Sequence, residues 1–365
     1  MNLEASAIGH PPTRRKSSNV TPPSNRLDPD RFFNRTSPGA HEWWYFDAIS
    51  DDGRDALVIV WYAGLPFDPA FGVATLRHLR NPAKYPAPRS LDHSAIGMSW
   101  YRDGKTMAYA LNGFKAGSFR HQAEPFEVEI GSSRVQRDDD GYRLSIETPS
   151  VQGKPIRAEL RFRPAGATEP FERDLGTPDA PHNWILAAAD CRVEGSLSIG
   201  PDALDFAGRG YHDHNAGAED LSVAMRRWEW GRVHSGPMTQ IYYWSEPHRG
   251  ESRSLRIACR DGRVESVQDD LRPSGDGPER RNVFGIRHRE DLRFEEDASR
   301  LTRSTRACLD DGPFYRRWLA DFRVDSIENP AELCKKTVGI AELLETRNLH
   351  RSWFNWMIPY RLKRF

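Results

Sequence analysis

Short β-prone runs separated by Asp-Gly turns recur along this chain, and they restrict its fold more than any other feature. Alternating apolar residues mark several runs, as in Tyr142-Leu144-Ile146, and alternation is typical of a strand with one buried face. Asp-Gly turns join neighbouring antiparallel strands, and no strand–helix–strand rhythm is visible. The sequence therefore predicts an all-β barrel or sandwich. The turn signals are Asp52-Gly53, Asp103-Gly104, Asp140-Gly141, Asp261-Gly262 and Asp311-Gly312.

Two Trp-rich stretches suggest that the β region has two related parts. Trp43 is followed eighteen residues later by Trp61, and Trp228 is followed sixteen residues later by Trp244. Each pair fits an aromatic first strand and an apolar partner, although aromatic strands are common in any β protein. The echo favours two β domains.

The predicted domain limits follow from changes in composition. Residues 1–30 are rich in Pro, Ser and Asn and are predicted to be a disordered extension, because they bury too little surface to offset the entropy of ordering. The first β domain is assigned to 31–200 and the second to 201–328. Residues 329–365 are assigned to a C-terminal helix and a basic aromatic tail.

The C-terminal region has its own pattern. Ala331 to Glu345 is predicted to be a helix with Pro330 at its start, where proline is tolerated. Residues 346–365 carry five Arg or Lys, no acids and several aromatic residues. This tail fits either contact with a membrane interface or docking on the protein with its arginines in solvent.

Composition narrows the function classes. The 365 residues carry 52 basic and 52 acidic side chains, so no overall charge favours nucleic acid. No apolar signal segment is present, and the longest apolar run, Ala56–Phe67, is too short to cross a bilayer. We predict a soluble cytoplasmic protein, with peripheral membrane contact through 346–365 as the open alternative. Four cysteines without a CxxC pair are expected to be reduced, buried thiols: Cys191, Cys259, Cys308 and Cys334.

The densest group of polar side chains runs from Tyr211 to Asn215. On a strand, Tyr211, Asp213 and Asn215 share one face, while His212 and His214 point the other way. We predict that the Tyr/Asp/Asn face lines a cavity. Burial there would raise the pKa of Asp213 and keep a proton available for donation; the alternative is that Asp213 only makes turn or cap hydrogen bonds.

Two further groups come into consideration. His182 and Trp184 share a strand face and could supply a proton partner and a π surface, or could simply pack in the core. His212 and His214 could join a third histidine around a metal, but neither an HExxH spacing nor a cysteine pair supports this, and we predict no metal site. The segment from Glu42 to Asp47 has aromatic residues on both faces, with one face predicted to pack in the core.

The motifs together resemble a known family. They are Glu42-Trp43-Trp44-Tyr45-Phe46-Asp47-Ala48 with the hairpin after it, His182-x-Trp184, and Gly210-Tyr211-His212-Asp213-His214-Asn215 with Gly217. Over about 41–325 the chain resembles the carotenoid 1,2-hydratase (hydroxyneurosporene synthase) family, within the AttH-like group of lipocalin-type folds. The resemblance implies two lipocalin-like antiparallel β-barrels and a cofactor-free addition of water to a terminal isoprenoid double bond, through a tertiary carbocation.

The resemblance also implies roles for single residues. Asp213 would donate the proton, and Tyr211 would orient that acid or stabilise the cation. His182 would position water or relay the proton, and Trp184 would shield the cation. The substrate would be an apolar isoprenoid or polyketide. The alternatives are a terpenoid or polyketide cyclase of the same fold and a non-catalytic carrier of apolar ligands. Five residues are predicted to contact the substrate: Trp43, Tyr45, Trp228, Trp230 and Asn215.

Overall fold

The fold is built almost entirely from antiparallel strands. The computed structural model describes residues 27–166, 169–271, 273–275, 277–295, 299–326, 336–355, 357 and 361–365. The described strands of the first half are β1 His41–Ser50, β2 Asp55–Ala63, β3 Ala95–Arg102, β4 Lys105–Gly113, β5 Phe119–Gln122, β6 Glu127–Ile130, β7 Ser133–Asp138, β8 Gly141–Pro149, β9 Pro155–Pro164, β10 Phe171–Asp174, β11 His182–Ile199 and β12 Asp202–Gly217.

The second half continues in the same style. Its described strands are β13 Met225–Ser235, β14 Met238–Pro247, β15 Arg253–Arg260, β16 Arg263–Asp269, β17 Arg280–Arg281, β18 Arg287–His288, β19 Asp291–Glu295, β20 Ser299–Asp311, β21 Tyr315–Ser326, β22 Thr337–Glu345 and β23 Leu362–Arg364. The described helices are α1 Pro69–Arg80, α2 Leu221–Ala224 and α3 Ser352–Asn355, with 3₁₀ turns at Ser90–His93 and Thr346–Asn348. None of these helices is long and apolar enough to cross a membrane.

The Asp-Gly turns close hairpins as predicted. Asp103 and Gly104 between β3 and β4 have φ values of 51° and 76°, and Asp261 and Gly262 between β15 and β16 have 49° and 80°. A two-residue turn with both φ values positive matches the right-handed twist of the strands that it joins. Asp and Gly tolerate this backbone better than other residues.

The larger sheet holds β12 at its centre. Its main path runs β23-β4-β3-β2-β1-β12-β11-β9-β8-β7-β6-β5, with β10 paired to β11. Asp213 lies opposite Tyr45 of β1 and Leu186 of β11. The predicted domain boundary between residues 200 and 201 stays a prediction, but the first sheet continues past it, because β12 pairs on both sides with strands of that sheet.

The smaller sheet runs β16-β15-β14-β13-β22-β21-β20-β19. The predicted helix from Ala331 to Glu345 is wrong over Thr337–Glu345, which is a strand between β13 and β21; residues 331–335 lie outside the described part. The strand is buried along most of its length. A strand buried on both faces shows a continuous apolar run rather than alternation, and such a run also fits a helical period.

Each sheet curls around its own core, and a third cluster lies between the two sheets. Trp44 and Phe46 belong to the core of the larger sheet, and Trp318 belongs to the core of the smaller one. Trp43 and Tyr45, from the other face of β1, join residues of the smaller sheet in the third cluster. The two faces of one strand therefore serve two different layers.

The end of the chain returns to the first sheet. β23 pairs in parallel with β4, with Leu362 opposite Leu111, and Arg361 forms an ion pair with Asp310 of the smaller sheet. This part of the predicted tail is docked on the protein.

The cysteine prediction is confirmed in part. Cys191 and Cys259 are free and buried, whereas Cys308 is free but exposed. The burial prediction is wrong for Cys308, which lies between two register shifts in β20. Cys334 lies outside the described residues.

Candidate active site

The two faces of β12 separate as the period of two predicts. Tyr211 joins the cluster between the sheets, and Asp213 and Asn215 line a cavity there. His212 and His214 face the other way, where their rings stack on Phe46 and Trp44 of β1. A one-residue change of register would exchange these two sets.

Asp213 is held by three hydrogen-bond donors. The Trp184 indole Nε1 and the Tyr211 hydroxyl both donate to Oδ2 at 2.9 Å. The Asn215 amide donates to Oδ1, also at 2.9 Å. Trp184 comes from β11 and the other two from β12 itself, so neighbouring strands fix the carboxyl in one orientation.

The environment keeps this carboxyl protonated to an unusually high pH. Burial raises the pKa of Asp213 to about 7, against the hydrogen bonds from Trp184 and Tyr211, which lower it. The negative charges of Glu342 and Asp47 raise it further. A buried acid with this pKa can hold a proton near neutrality and still release it to a substrate.

His182 contacts Asp213 indirectly, through the side chain of Asn215. Its Nε2 lies 3.3 Å from Oδ1 of Asn215, whose amide in turn contacts Asp213. Burial lowers the pKa of His182 to about 3, so the imidazole is neutral near pH 7. When Nε2 carries the proton, His182 donates a hydrogen bond to Asn215 and orients its amide. His182 is therefore a positioning residue rather than a carrier of charge.

The two conspicuous histidines hold the N-terminal segment. The His212 ring nitrogens contact Asp30 and the Tyr45 carbonyl, each at 2.9 Å. The His214 ring lies 2.8 Å from Glu42 and 3.0 Å from the Pro29 carbonyl. Within the described ranges no group of three or more His, Cys, Asp or Glu is arranged to hold a metal ion.

Two neighbouring cavities lie between the sheets, an inner one at Asp213 and an outer one beside it. The inner cavity is lined by Asp213 and by all five predicted contact residues, Trp43, Tyr45, Asn215, Trp228 and Trp230. The outer cavity encloses about 970 Å³ of space between atoms, part of it open to solvent, and it shares Trp43, Tyr45 and Trp228 with the inner one. The shared lining residues make the two cavities direct neighbours. Trp184, Tyr211 and His182 stand behind Asp213 rather than in the lining.

Comparison with known proteins agrees with the motif pattern. Residues 83–365 match the family model described as carotenoid hydratase CrtC. This chain belongs to that family. The CrtC-type chain is 30% identical over 332 residues to the hydroxyneurosporene dehydrogenase of Chlorobaculum tepidum, covering 84% of this chain and 83% of that protein. It is also 30% identical over 301 residues to the acyclic carotenoid 1,2-hydratase of Thiocapsa roseopersicina, covering 80% of this chain and 67% of that protein.

The fold of this family member is shared by a solved structure. An AttH protein of Nitrosomonas europaea superimposes with a TM-score of 0.59 at 13% identity, covering 88% of this chain and 98% of that one. This likeness confirms the predicted AttH-like β fold.

Sequence reasoning missed a second acidic group in this CrtC-family site. Glu342 of β22 lines both cavities and accepts hydrogen bonds from the Tyr45 hydroxyl at 2.9 Å and Arg317 Nε at 2.8 Å. Arg317 in turn donates to the Tyr101 hydroxyl at 2.9 Å. Glu342 is the single acid within a run of apolar residues, a signal that the helical reading of this segment obscured.

Proposed function

We propose that this chain adds water to a terminal double bond of an acyclic carotenoid or a related isoprenoid, with Asp213 as the proton donor. The observation that carries the proposal is a carboxyl with a pKa of about 7 at the wall of an aromatic cavity. Membership of the carotenoid hydratase family and a relative named acyclic carotenoid 1,2-hydratase support it.

Protonation is the first step. The π electrons of the alkene form a C–H bond with the proton of Asp213, leaving a tertiary cation and a carboxylate. The donors Trp184, Tyr211 and Asn215 already point at that carboxylate, so they stabilise the charge as it develops without reorganising. The aromatic lining faces the cation, and π faces attract cations.

Capture by water completes the reaction. A lone pair of water forms the C–O bond, and loss of one proton from the resulting oxonium gives the tertiary alcohol. The sum is addition of water with no change of oxidation state, so the proposed chemistry requires no hydride acceptor. A dehydrogenation, the reaction in the name of the Chlorobaculum relative, would instead remove hydrogen from the substrate.

The test is incubation of the full chain with detergent-dispersed lycopene in deuterium oxide, followed by mass spectrometry of the product. We expect a tertiary alcohol with one deuterium on the carbon beside the new C–OH. Asp213→Asn should lower turnover by about 10²- to 10⁴-fold, the usual contribution of a general acid. Asp205→Asn, at an exposed position of the same strand, is the matched control.

Three results would contradict the proposal. A ring-closed product without added oxygen would identify a cyclase, and bound but unchanged lycopene would identify a carrier. Full hydration by Asp213→Asn would remove Asp213 from the role of acid.

A further inference from the structure

A second carboxylate faces the same inner cavity from the opposite sheet. Glu342 is only 4% exposed and forms an ion pair with Arg317. It is bonded to Tyr45, which lies directly opposite Asp213 in the β1–β12 pairing. Asp213 and Glu342 therefore flank one small space, one from each sheet.

The two carboxyl groups differ in their partners. Asp213 has only uncharged donors, whereas Glu342 has the guanidinium of Arg317 at 2.8 Å. The hydrogen bonds from Tyr45 and Arg317 both reach Oε1, and the Tyr315 side chain is also hydrogen-bonded to this carboxylate. A carboxylate has about four acceptor positions on its two oxygens, so Glu342 retains capacity to bind one more donor.

The same cavity contains a polar hydrogen that needs an acceptor. The indole Nε1 of Trp228 is buried and has no hydrogen-bond partner among the described residues, and its ring lines the inner cavity. A buried water requires two to four polar partners. An indole N–H and the Glu342 carboxylate would supply a donor and an acceptor for one water.

We propose that Glu342 holds the water that captures the cation and accepts its proton, with the indole N–H of Trp228 as a donor to that water. This rests on the proposed hydration. The water lone pair forms the C–O bond, and the oxonium proton passes to Glu342. One turnover leaves Asp213 deprotonated and Glu342 protonated, and exchange of one proton with solvent through the cavity restores both.

The separation of the two steps gives a specific test with Glu342→Gln in deuterium oxide. Gln keeps an acceptor for Tyr45 and Arg317 but cannot take a proton at neutral pH. Hydration should fall by about 10²- to 10⁴-fold. Deuterium should still enter the recovered alkene, because the cation formed by Asp213 can lose a proton again. Glu265→Gln, an exposed member of an ion pair on β16, is the control.

The outcomes separate this inference from the proposed hydration. Hydration by Glu342→Gln at the wild-type rate overturns the role of Glu342, and so does loss of deuterium entry in a folded variant. If the wild-type chain itself forms no alcohol, the proposed function fails. Should Glu342→Gln not fold, Trp228→Phe removes the indole donor, and a fall in hydration with deuterium entry retained supports the water site. Unchanged hydration in Trp228→Phe contradicts it.

A different observation concerns the surface near the chain end. A cleft there is lined by five arginines and a single glutamate, Glu345. Glu345 pairs with Arg347 at 3.3 Å and with Arg287 at 3.7 Å. Two other glutamates each lie 3.9 Å from a cleft arginine, Glu246 from Arg226 and Glu279 from Arg287. Positive charge is therefore in excess. The cleft arginines are Arg226, Arg281, Arg287, Arg347 and Arg351.

An exposed apolar residue stands beside this cleft. Val283 is 92% exposed in the loop between β17 and β18, the strands that carry Arg281 and Arg287. Asn282 of the loop donates to the Gly312 carbonyl, and Gly312 lines the outer cavity. The charged face and the cavity wall are therefore joined by a short hydrogen-bonded connection.

We further propose that this face binds the surface of an anionic bilayer, with lipid phosphates at the arginines and Val283 among the headgroups. A basic cluster with an apolar tip favours a lipid surface over a free phosphate, since two signals together give stable membrane contact. An apolar substrate dissolved in the bilayer would then lie close to the outer cavity.

Sedimentation with vesicles of phosphatidylglycerol and phosphatidylcholine tests this face. We expect binding to the anionic vesicles that weakens with salt. Arg281→Ala with Arg351→Ala should weaken it by about 30-fold, at roughly 1 kcal/mol for each arginine. Arg120→Ala with Arg143→Ala is the control on the first sheet. Equal binding to pure phosphatidylcholine, full competition by inorganic phosphate, or no effect of the cleft variant would overturn the proposal.

Discussion

The pH dependence of catalysis should report the donors around Asp213, and Trp184→Phe is the sharpest perturbation. The change removes the indole N–H that reaches Oδ2 at 2.9 Å and keeps an aromatic ring at a fully buried position. That hydrogen bond lowers the pKa of Asp213 because it favours the carboxylate. Without it the carboxyl should hold its proton to a higher pH.

The size of the shift follows from the geometry. A hydrogen bond to a charged group contributes about 1.5–3 kcal/mol, and 1.36 kcal/mol corresponds to one pKa unit. Tyr211 still donates to the same oxygen and takes over part of the loss, so we expect a rise of about one unit. Activity that falls above pH 7 in the wild-type chain should fall above about pH 8 in Trp184→Phe.

The assay is kcat/KM for hydration from about pH 5 to about pH 10, where the descending limb reports the acid in the free enzyme. Glu342→Gln should move this limb the opposite way, since the negative charge of Glu342 raises the pKa of Asp213; its residual rate would be followed as deuterium entry. A limb that stays in place in Trp184→Phe, or moves to lower pH, would refute the assignment of Asp213 as the titrating acid.

Two further predictions concern the stability of the folded chain, which depends on its buried ionisable side chains. The folded-state pKa of Asp213 of about 7 lies above its unfolded value. The free energy of unfolding of the wild-type chain should therefore decrease by about 4 kcal/mol as the pH rises from about 4 to about 7. Denaturant titrations at several pH values should show no such decrease in Asp213→Asn. Arg232→Met should destabilise the chain by about 3–5 kcal/mol, because Asp47, its fully buried ion-pair partner, would stay unpaired. Asp47→Asn in the same chain should recover much of that loss in thermal melts.

The alternation of side chains along a strand was enough to predict which residues β12 contributes to the site. The period of two placed Tyr211 with Asp213 and turned His212 away, and this required only that the segment be a strand. The pairing of Asp213 with Trp184 depends on the register between β11 and β12 across 29 residues, which local sequence does not specify. Strand periodicity marked Trp184 as a candidate beside His182, the family resemblance implied a role for it, and neither predicted its hydrogen bond to Asp213.

The residues that other segments contribute to the site could not be predicted from alternation within one strand. Glu342 comes from the second sheet, in a strand whose apolar run also fits a helix. The partners of the two histidines lie more than 170 residues away: Asp30 in the segment before β1, and Glu42 in β1 itself. Contacts of such sequence separation follow from the pairing of β1 with β12 and from the packing of the preceding segment, which alternation within one strand does not encode.

The packing of the sheets also explains how two carboxyl groups a short distance apart can act differently. Asp213 lies on the larger sheet with neutral donors only, so burial dominates and favours the protonated form. Glu342 lies on the smaller sheet and forms an ion pair with Arg317 of the adjacent strand β21. A negative charge near Asp213 raises the pKa of its carboxyl. The same charge faces the carbocation that forms when Asp213 transfers its proton to the substrate. The division of the site between two sheets therefore keeps the acid and the anion in separate environments while both face one cavity.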